Sequence, residues 1–428
     1  MRIAVIGSGI SGLSAAFRLQ GQHEVVLFER EPRAGGHTHT VDVTIDGVTE
    51  AVDTGFLVYN ERTYPLLIAL FSELGIPQAP TDMSFAASIG PHRLEWCGSN
   101  LASLFAQPSN LLRPGFWRMI RDILRFNNHA TALAVTPDTA DRLDEPLEAF
   151  LLREGYSDDF RDAYLLPMAA AIWSCPAATM MQFPLGSFVR FFHNHGLLQI
   201  EGRPRWMTVP GGARQYVEKI LSKLSDVRLG QPALAVSRHA QSGKQAVSVR
   251  TALGTEWFDQ VVLACHSDQA LALLTDADPE EQSLLGAVAY QPNRALLHTD
   301  RALMPLRRRA WAAWNYMSDG NPGAPAVSVT YWLNRLQPLT LPRPVFVSLN
   351  PLTDPAPGTL IREIAYAHPM FDRAAMSAQK RLRARQGTRQ TWFAGAWLGY
   401  GFHEDGLRSG FEVASAIEAL REPLSRAA

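Results

Sequence analysis

Cysteine is scarce in this 428-residue chain: Cys97, Cys175 and Cys265 lie far apart and make no CxxC or other metal-ligand spacing. That excludes a disulfide framework and a cysteine-based metal site, and leaves reduced, mostly buried thiols as the expectation. Long apolar runs are missing too. No stretch approaches the roughly 18 uninterrupted apolar residues of a membrane span, and the run Ile3 to Ile6 is too short for the core of a secretory signal. Charge of one sign is absent, since 40 basic and 41 acidic side chains nearly cancel; no global field would gather nucleic acid, and none is expected as a partner. No internal repeat or low-complexity tail occurs. What is present is 46% hydrophobic and 19% charged residues, enough for a large core. A cytoplasmic globular chain of about two or three domains follows, two interleaved domains being the working number.

Residues 2–6, RIAVI, form a β-branched run that leads into GSGISG and then into the helical pattern LSAAFRLQ. A second apolar run, Glu24 to Glu29, completes a strand–turn–helix–strand unit. From about 76 to about 205 the pattern becomes helical and aromatic, interrupted by Pro108, Pro114, Pro167 and Pro184. Strand signals return in WMTV (206–209), ALAVS (233–237), AVSVR (246–250) and WFDQVVLA (257–264), followed by a helix from Asp268. A second block of strands, RALLHTD, AWAAWNY, AVSVTYWL and PVFVSLN, would floor a pocket. Then comes the strand TWFAGAW, a loop, and a helix predicted from about Gly406 to Leu420, with Leu407, Phe411, Ala414 and Ile417 at helical spacing.

Gly7, Gly9 and Gly12 fit GxGxxG, and each glycine has a separate role in the tight turn, the approach of backbone to a pyrophosphate, and the packing of helix on strand. The pattern follows a strand and opens a helix, the context that dinucleotide binding requires. Glu29 ends the second strand, where a carboxylate can accept ribose hydroxyls and repel a 2′-phosphate.

Three further blocks resemble the flavin amine oxidase superfamily, which includes phytoene desaturases and protoporphyrinogen oxidases: ERxxRAGGH from Glu29, with Arg33, Gly35 and Gly36; VDTGF, 52–56; and FAGAW with HEDGLRSG. The resemblance implies an α/β fold in which a Rossmann-type FAD domain (1–75, 206–280 and 385–428) is interleaved with an α+β substrate domain (76–205 and 281–384). It implies cofactor contacts at Gly7, Gly9, Ser11, Gly12, Glu29, Arg30, Gly35, Gly36, His37, Thr38, Thr54, Gly55, Phe56, Ala235, Ala264, Gly395, Glu404, Asp405, Gly406 and Leu407. The helix near Gly406 would aim its positive dipole end at the flavin ring and favour hydride acceptance; for Glu404 and Asp405 an ordinary N-terminal cap is the alternative. The chain departs from the family pattern in three places. No cysteine follows Cys265, so FAD is expected to be non-covalent; the lysines are only Lys219, Lys223, Lys244 and Lys380, none in a pocket-floor strand; and His37 stands where an arginine follows the paired glycines.

The loop Trp397 to His403 is the expected pocket wall, with Trp397, Tyr400 and His403 as catalytic candidates and His403 or solvent as the proton acceptor. Packing between domains is the alternative for its aromatics. The i,i+2 pairs His37/His39 and His193/His195 lack a third ligand, so no metal is expected. Residues 111–126 place Arg118, Arg121 and Arg125 on one face of an apolar helix, either a core-facing helix or a peripheral contact with the inner face of the membrane; Arg307 to Arg309 carry the same two readings. Segments YQPNRALLHTD, RRRAWAAWNY, VTYWLNRLQ and YGFHEDGLRSG resemble a bacterial group of NAD/FAD-binding, amine-oxidase-like proteins, some linked to modified fatty acids. That resemblance implies a small-molecule or phospholipid acyl substrate, and specifically desaturation of a methyl-branched acyl chain on the way to furan fatty acids. Amine oxidation, and a non-catalytic flavoprotein that binds lipid or a protein partner, remain alternatives.

Overall fold

The structure is a computed structural model that describes residues 1–90, 93–135, 145–173, 177–199, 202–241, 244–321 and 328–420. Cys175 lies outside them. A five-stranded parallel sheet runs in the order Asp226–Arg228, Glu24–Phe28, Arg2–Ile6, Gln260–Leu263, Thr391–Phe393. Its central strands are apolar and buried on both faces, as parallel strands covered from both sides must be. The run at 257–264 is two strands instead of one. Asp259 breaks it, its N–H donating to Arg2 O while its carboxylate accepts the Arg2 N–H, so the chain turns from an antiparallel three-stranded sheet into the parallel one.

A seven-stranded mixed sheet has the order Leu360–Pro369, Tyr290–His298, Phe346–Leu349, Ser328–Trp332, Trp314–Ser318, Phe85–Ile89, Leu94–Cys97. Helices rich in phenylalanine pack beside it, with Phe126, Phe150, Phe160 and Phe188 fully buried among them. Pro108, Pro114 and Pro184 each start or cap a helix, where a missing N–H is harmless. Pro167 instead sits inside one. There the preceding turn widens to a π-helix over Arg161–Leu165, and the Ala163 carbonyl that Pro167 cannot serve accepts the Trp96 indole N–H.

Two local features go beyond the sequence reading. A hairpin, Thr40–Ile45 with Val48–Asp53, turns on Asp46 and Gly47, both at positive φ (50° and 85°) as a two-residue turn between twisted strands demands. The last helix spans His403–Ala419 and so begins three residues before Gly406, because the Asp405 carboxylate accepts the N–H groups of Tyr400 and Phe402 and closes the turn early.

Candidate functional site

The first helix, Ile10–Leu19, starts at Gly9 with no side-chain cap, so its leading N–H groups stay available. The three loop glycines divide their roles as the motif requires. A Cβ at Gly7 would lie 2.6 Å from Ala264 O and one at Gly12 would overlap Gly7 O, whereas one at Gly9 would meet nothing within 4 Å. The loop is closed from behind and open only where a pyrophosphate would approach. Glu29 holds it in shape: Oε2 accepts Ser8 N–H (2.9 Å) and Ser8 Oγ–H (2.6 Å), while Oε1 accepts Glu31 N–H. Gly35 N–H donates to Ser8 O, and Gly36 folds over Gly9. Arg30, by contrast, points outward and pairs with Glu31, its side chain 67% exposed. Ala235 is buried in the antiparallel three-stranded sheet, opposite Arg250.

The last helix crosses the first at Gly406 and Gly410. A Cβ at Gly406 would lie 2.7 Å from Ile10 Cγ2 and 2.9 Å from Ser11 Oγ; at Gly410 it would overlap Ser14 Oγ and Ser11 O. This i,i+4 glycine pair sets two helix N-termini side by side, and the amides of His403, Glu404 and Asp405 precede the first intrahelical bond, from Gly406 N–H to Phe402 O. Two positive dipole ends therefore converge beside the glycine loop. The carboxylates of this turn point elsewhere. Asp405 caps its own helix, and Glu404 reaches across to accept Leu66 N–H (2.9 Å) and Leu67 N–H (3.0 Å) at the start of the helix Pro65–Leu74. Capping is thus what both side chains do, and Leu407 is a fully buried core residue; at these positions only backbone remains for a cofactor.

His37 to His39 runs against Thr54 to Phe56, with Phe56 N–H to His37 O and Thr54 N–H to His39 O, and Gly55 sits where a Cβ would overlap His37 O. His37 stacks on Tyr366 (4.8 Å), and its Nε2 is buried with no protein partner. Burial holds the His37 imidazole well below its ordinary range and that of His368 down to about 4. Asn293 Nδ2 donates to His368 Nδ1 (2.8 Å). A glycine-lined loop with open space at one glycine, two converging helix N-termini and an orphaned buried ring nitrogen together fit a dinucleotide flavin.

Of the three catalytic candidates, one faces a cleft. Tyr400 and Phe402 line a cleft of about 500 Å³ with Arg62, His193, His195 and Arg408 on its other sides. Trp397 is 2% exposed, packed under Gly395 in the parallel-sheet core, with its indole N–H on Cys265 O (3.0 Å). It is a packing residue, buried in the apolar cluster that includes Val261, Leu263 and Phe393. His403 turns inward as well: its ring stacks on Phe56 (3.9 Å) and Nε2 meets Tyr216 OH (2.8 Å), which in turn bonds Thr38 Oγ1. Burial depresses its pKa to about 3, which makes it too weak a base to take a proton near neutral pH.

Ser8, Tyr216 and Asp53 were not legible as site residues. Asp53 is buried, accepts from Thr40 Oγ1, Ala213 N–H and Gln337 Nε2, and donates its own N–H to Gln337 Oε1. It ties the hairpin to the helix Arg214–Leu221 and to the far sheet's helical edge, and burial pushes its carboxyl up to about 7. Its signal in the sequence was its place in the block VDTGF, where the resemblance assigned it no role of its own.

Known proteins share this fold. A family model described as flavin containing amine oxidoreductase matches residues 10–335. A polyenoic fatty acid isomerase from Ptilota filicina is 30% identical over 116 residues, a match that takes in 26% of this chain and only 22% of that protein. The fatty acid isomerase of P. acnes that produces CLA superposes with a TM-score of 0.66 at 15% identity, over 97% of this chain and 98% of that one. Cyclohexylamine oxidase from Brevibacterium oxydans IH-35A gives 0.66 at 16% identity, over 98% and 99%.

Proposed function

The chain belongs to the flavin containing amine oxidoreductase family and is an FAD-dependent oxidoreductase, and from that premise we propose that its substrate is a fatty acyl chain, dehydrogenated between two carbons. FAD, when bound, supplies the hydride acceptor. The observation that carries the reading is the cleft: Tyr400 and Phe402 offer an aromatic wall at the entrance to the last helix, while Arg62, and Arg408 paired with Glu404, stand in its lining as cations for a carboxylate or phosphate head. Among the described residues no lysine lines the cleft; Lys219, Lys223 and Lys380 are exposed, and Lys219 Nζ bonds the carbonyls of Leu74 and Gly75. With His403 held neutral, the proton released leaves to solvent through the cleft. The specific substrate we propose is a methyl-branched acyl chain of a phospholipid.

A second reading has its own support, since two of the similar proteins are named fatty acid isomerases. There the hydride would return to another carbon of the same chain, with no net oxidation. One experiment separates the readings: anaerobic titration of the holoprotein with methyl-branched phospholipids, with polyunsaturated fatty acids and with simple amines, followed by mass analysis of the lipid. Stable bleaching with a product two mass units lighter supports dehydrogenation. An unchanged mass with a moved double bond supports isomerisation, and bleaching by amines alone overturns both.

A further inference from the structure

Four of the large exposed apolar side chains of the substrate side are gathered near one another. Leu101 is 75% exposed, Leu112 88% and Leu306 66%, with Trp117 at 49%. Leu306 is remote in sequence from the others, and Glu95 brings it to them. The Glu95 carboxylate accepts Leu306 N–H (2.7 Å), Arg307 N–H (3.2 Å) and Arg307 Nη1–H (2.8 Å). The Glu95 backbone is in turn held by Gln107 and Asn110, one turn before the basic helix Pro114–Ala134. Trp117 closes the surface from the other side, its indole N–H on Leu111 O (3.0 Å) and its ring 5.7 Å from Phe105.

Among the described residues the unpaired charge on this face has one sign. Arg113 bonds backbone and amide oxygens, Arg308 lies over the Trp311 ring, Arg309 is exposed, and none of the three makes an ion pair among the described residues. Arg118 is different, neutralised by Asp159. The basic helix packs on the helix Leu185–Asn194, whose C-terminal His193 and Asn194 line the cleft.

We propose that this face docks on an anionic lipid bilayer, with Leu101, Leu112, Leu306 and Trp117 entering the headgroup region and Arg113, Arg308 and Arg309 meeting lipid phosphates. Exposed leucines ringed by arginines, with the nearby Asp159 already paired to Arg118, suit a deformable anionic surface with an apolar interior. The two arginine-bearing segments, read separately in the sequence, form a single platform in the fold.

The test is co-sedimentation of the FAD-loaded protein with vesicles of phosphatidylcholine alone or mixed with phosphatidylglycerol, all with straight saturated chains, so that docking is read independently of turnover. Binding to the mixed vesicles is expected, with a loss of about tenfold or more for Arg308→Glu/Arg309→Glu and a comparable loss for Leu112→Ser/Leu306→Ser. Unchanged FAD content in both variants serves as the folding control. Equal binding by both variants, or no pelleting with mixed vesicles, overturns the proposal. Retention on polyglutamate that survives Leu112→Ser/Leu306→Ser, with no vesicle binding, assigns the face to an acidic protein instead.

Discussion

Tyr400 and Trp397 lie three residues apart in the same loop and have opposite fates. Tyr400 faces the cleft, whereas Trp397 fills the space beneath Gly395 with its N–H satisfied by Cys265 O. Replacing Tyr400 by Leu is therefore expected to lower turnover while leaving the melting temperature within a degree or two of wild type, as surface-facing changes do. Trp397→Leu is expected to cost about 2–4 kcal/mol, from cavity formation and an unpaired carbonyl, with any loss of activity following the loss of fold. Thermal melts and turnover measured on both variants check this; a stable but inactive Trp397→Leu would return the indole to the substrate. The loop was legible in the sequence as aromatic and near the site. Which aromatic points up and which points down was not, because that depends on Cys265 and on a core assembled from strands hundreds of residues away.

At the scale of elements, the glycine loop was legible because its chemistry is local: strand, turn and helix follow one another within a dozen residues. The i,i+4 pair Gly406/Gly410 was equally visible as a spacing, though its meaning needed the first helix against it. Gly9→Ala places a methyl in open space and is expected to leave apo stability unchanged while weakening FAD binding, whereas Gly410→Val drives into Ser14 and the Ser11 carbonyl and is expected to destabilise by about 1–3 kcal/mol or more. Flavin retention on gel filtration, set beside apo-protein melts, distinguishes the two. Glu404 shows what sequence could not supply. Its partners, Leu66 and Leu67, stand 338 and 337 residues away, so a charged first turn looked like a cofactor contact when it is a cap for another helix. Glu404→Ala is expected to cost about 1–2 kcal/mol as a lost cap; FAD affinity falling far more than stability would restore the cofactor role.

For the whole molecule, the balance of buried titratable groups sets an acid limit on stability. Burial holds His39, His195, His298 and His368 down to about 4 and His403 to about 3. An imidazole kept neutral in the fold but free to protonate in the unfolded chain makes the unfolded state bind more protons, so its contribution is complete above the ordinary 6.5 and is lost as pH falls toward 4. Asp53 and Asp405 act in the opposite sense: pushed up to about 7 and about 6, they contribute fully below the ordinary 3.8 and lose that contribution as pH rises through the folded values. The lowered imidazoles, which also include His37 and His266, outnumber the raised carboxylates Asp53, Asp405 and Glu404 and so govern the shared window. The melting temperature of the apo-protein should therefore climb between about pH 5 and about pH 7 and level off above. His298, wholly buried, with Nε2 at 2.8 Å from Ser348 Oγ and Nδ1 accepting Asp300 N–H, is the cleanest single group to remove. His298→Gln should flatten that climb by one imidazole's share while lowering the plateau, and a melting temperature that stays level or falls from about pH 5 to about pH 7 would mean that the carboxylates, not the imidazoles, govern the acid side.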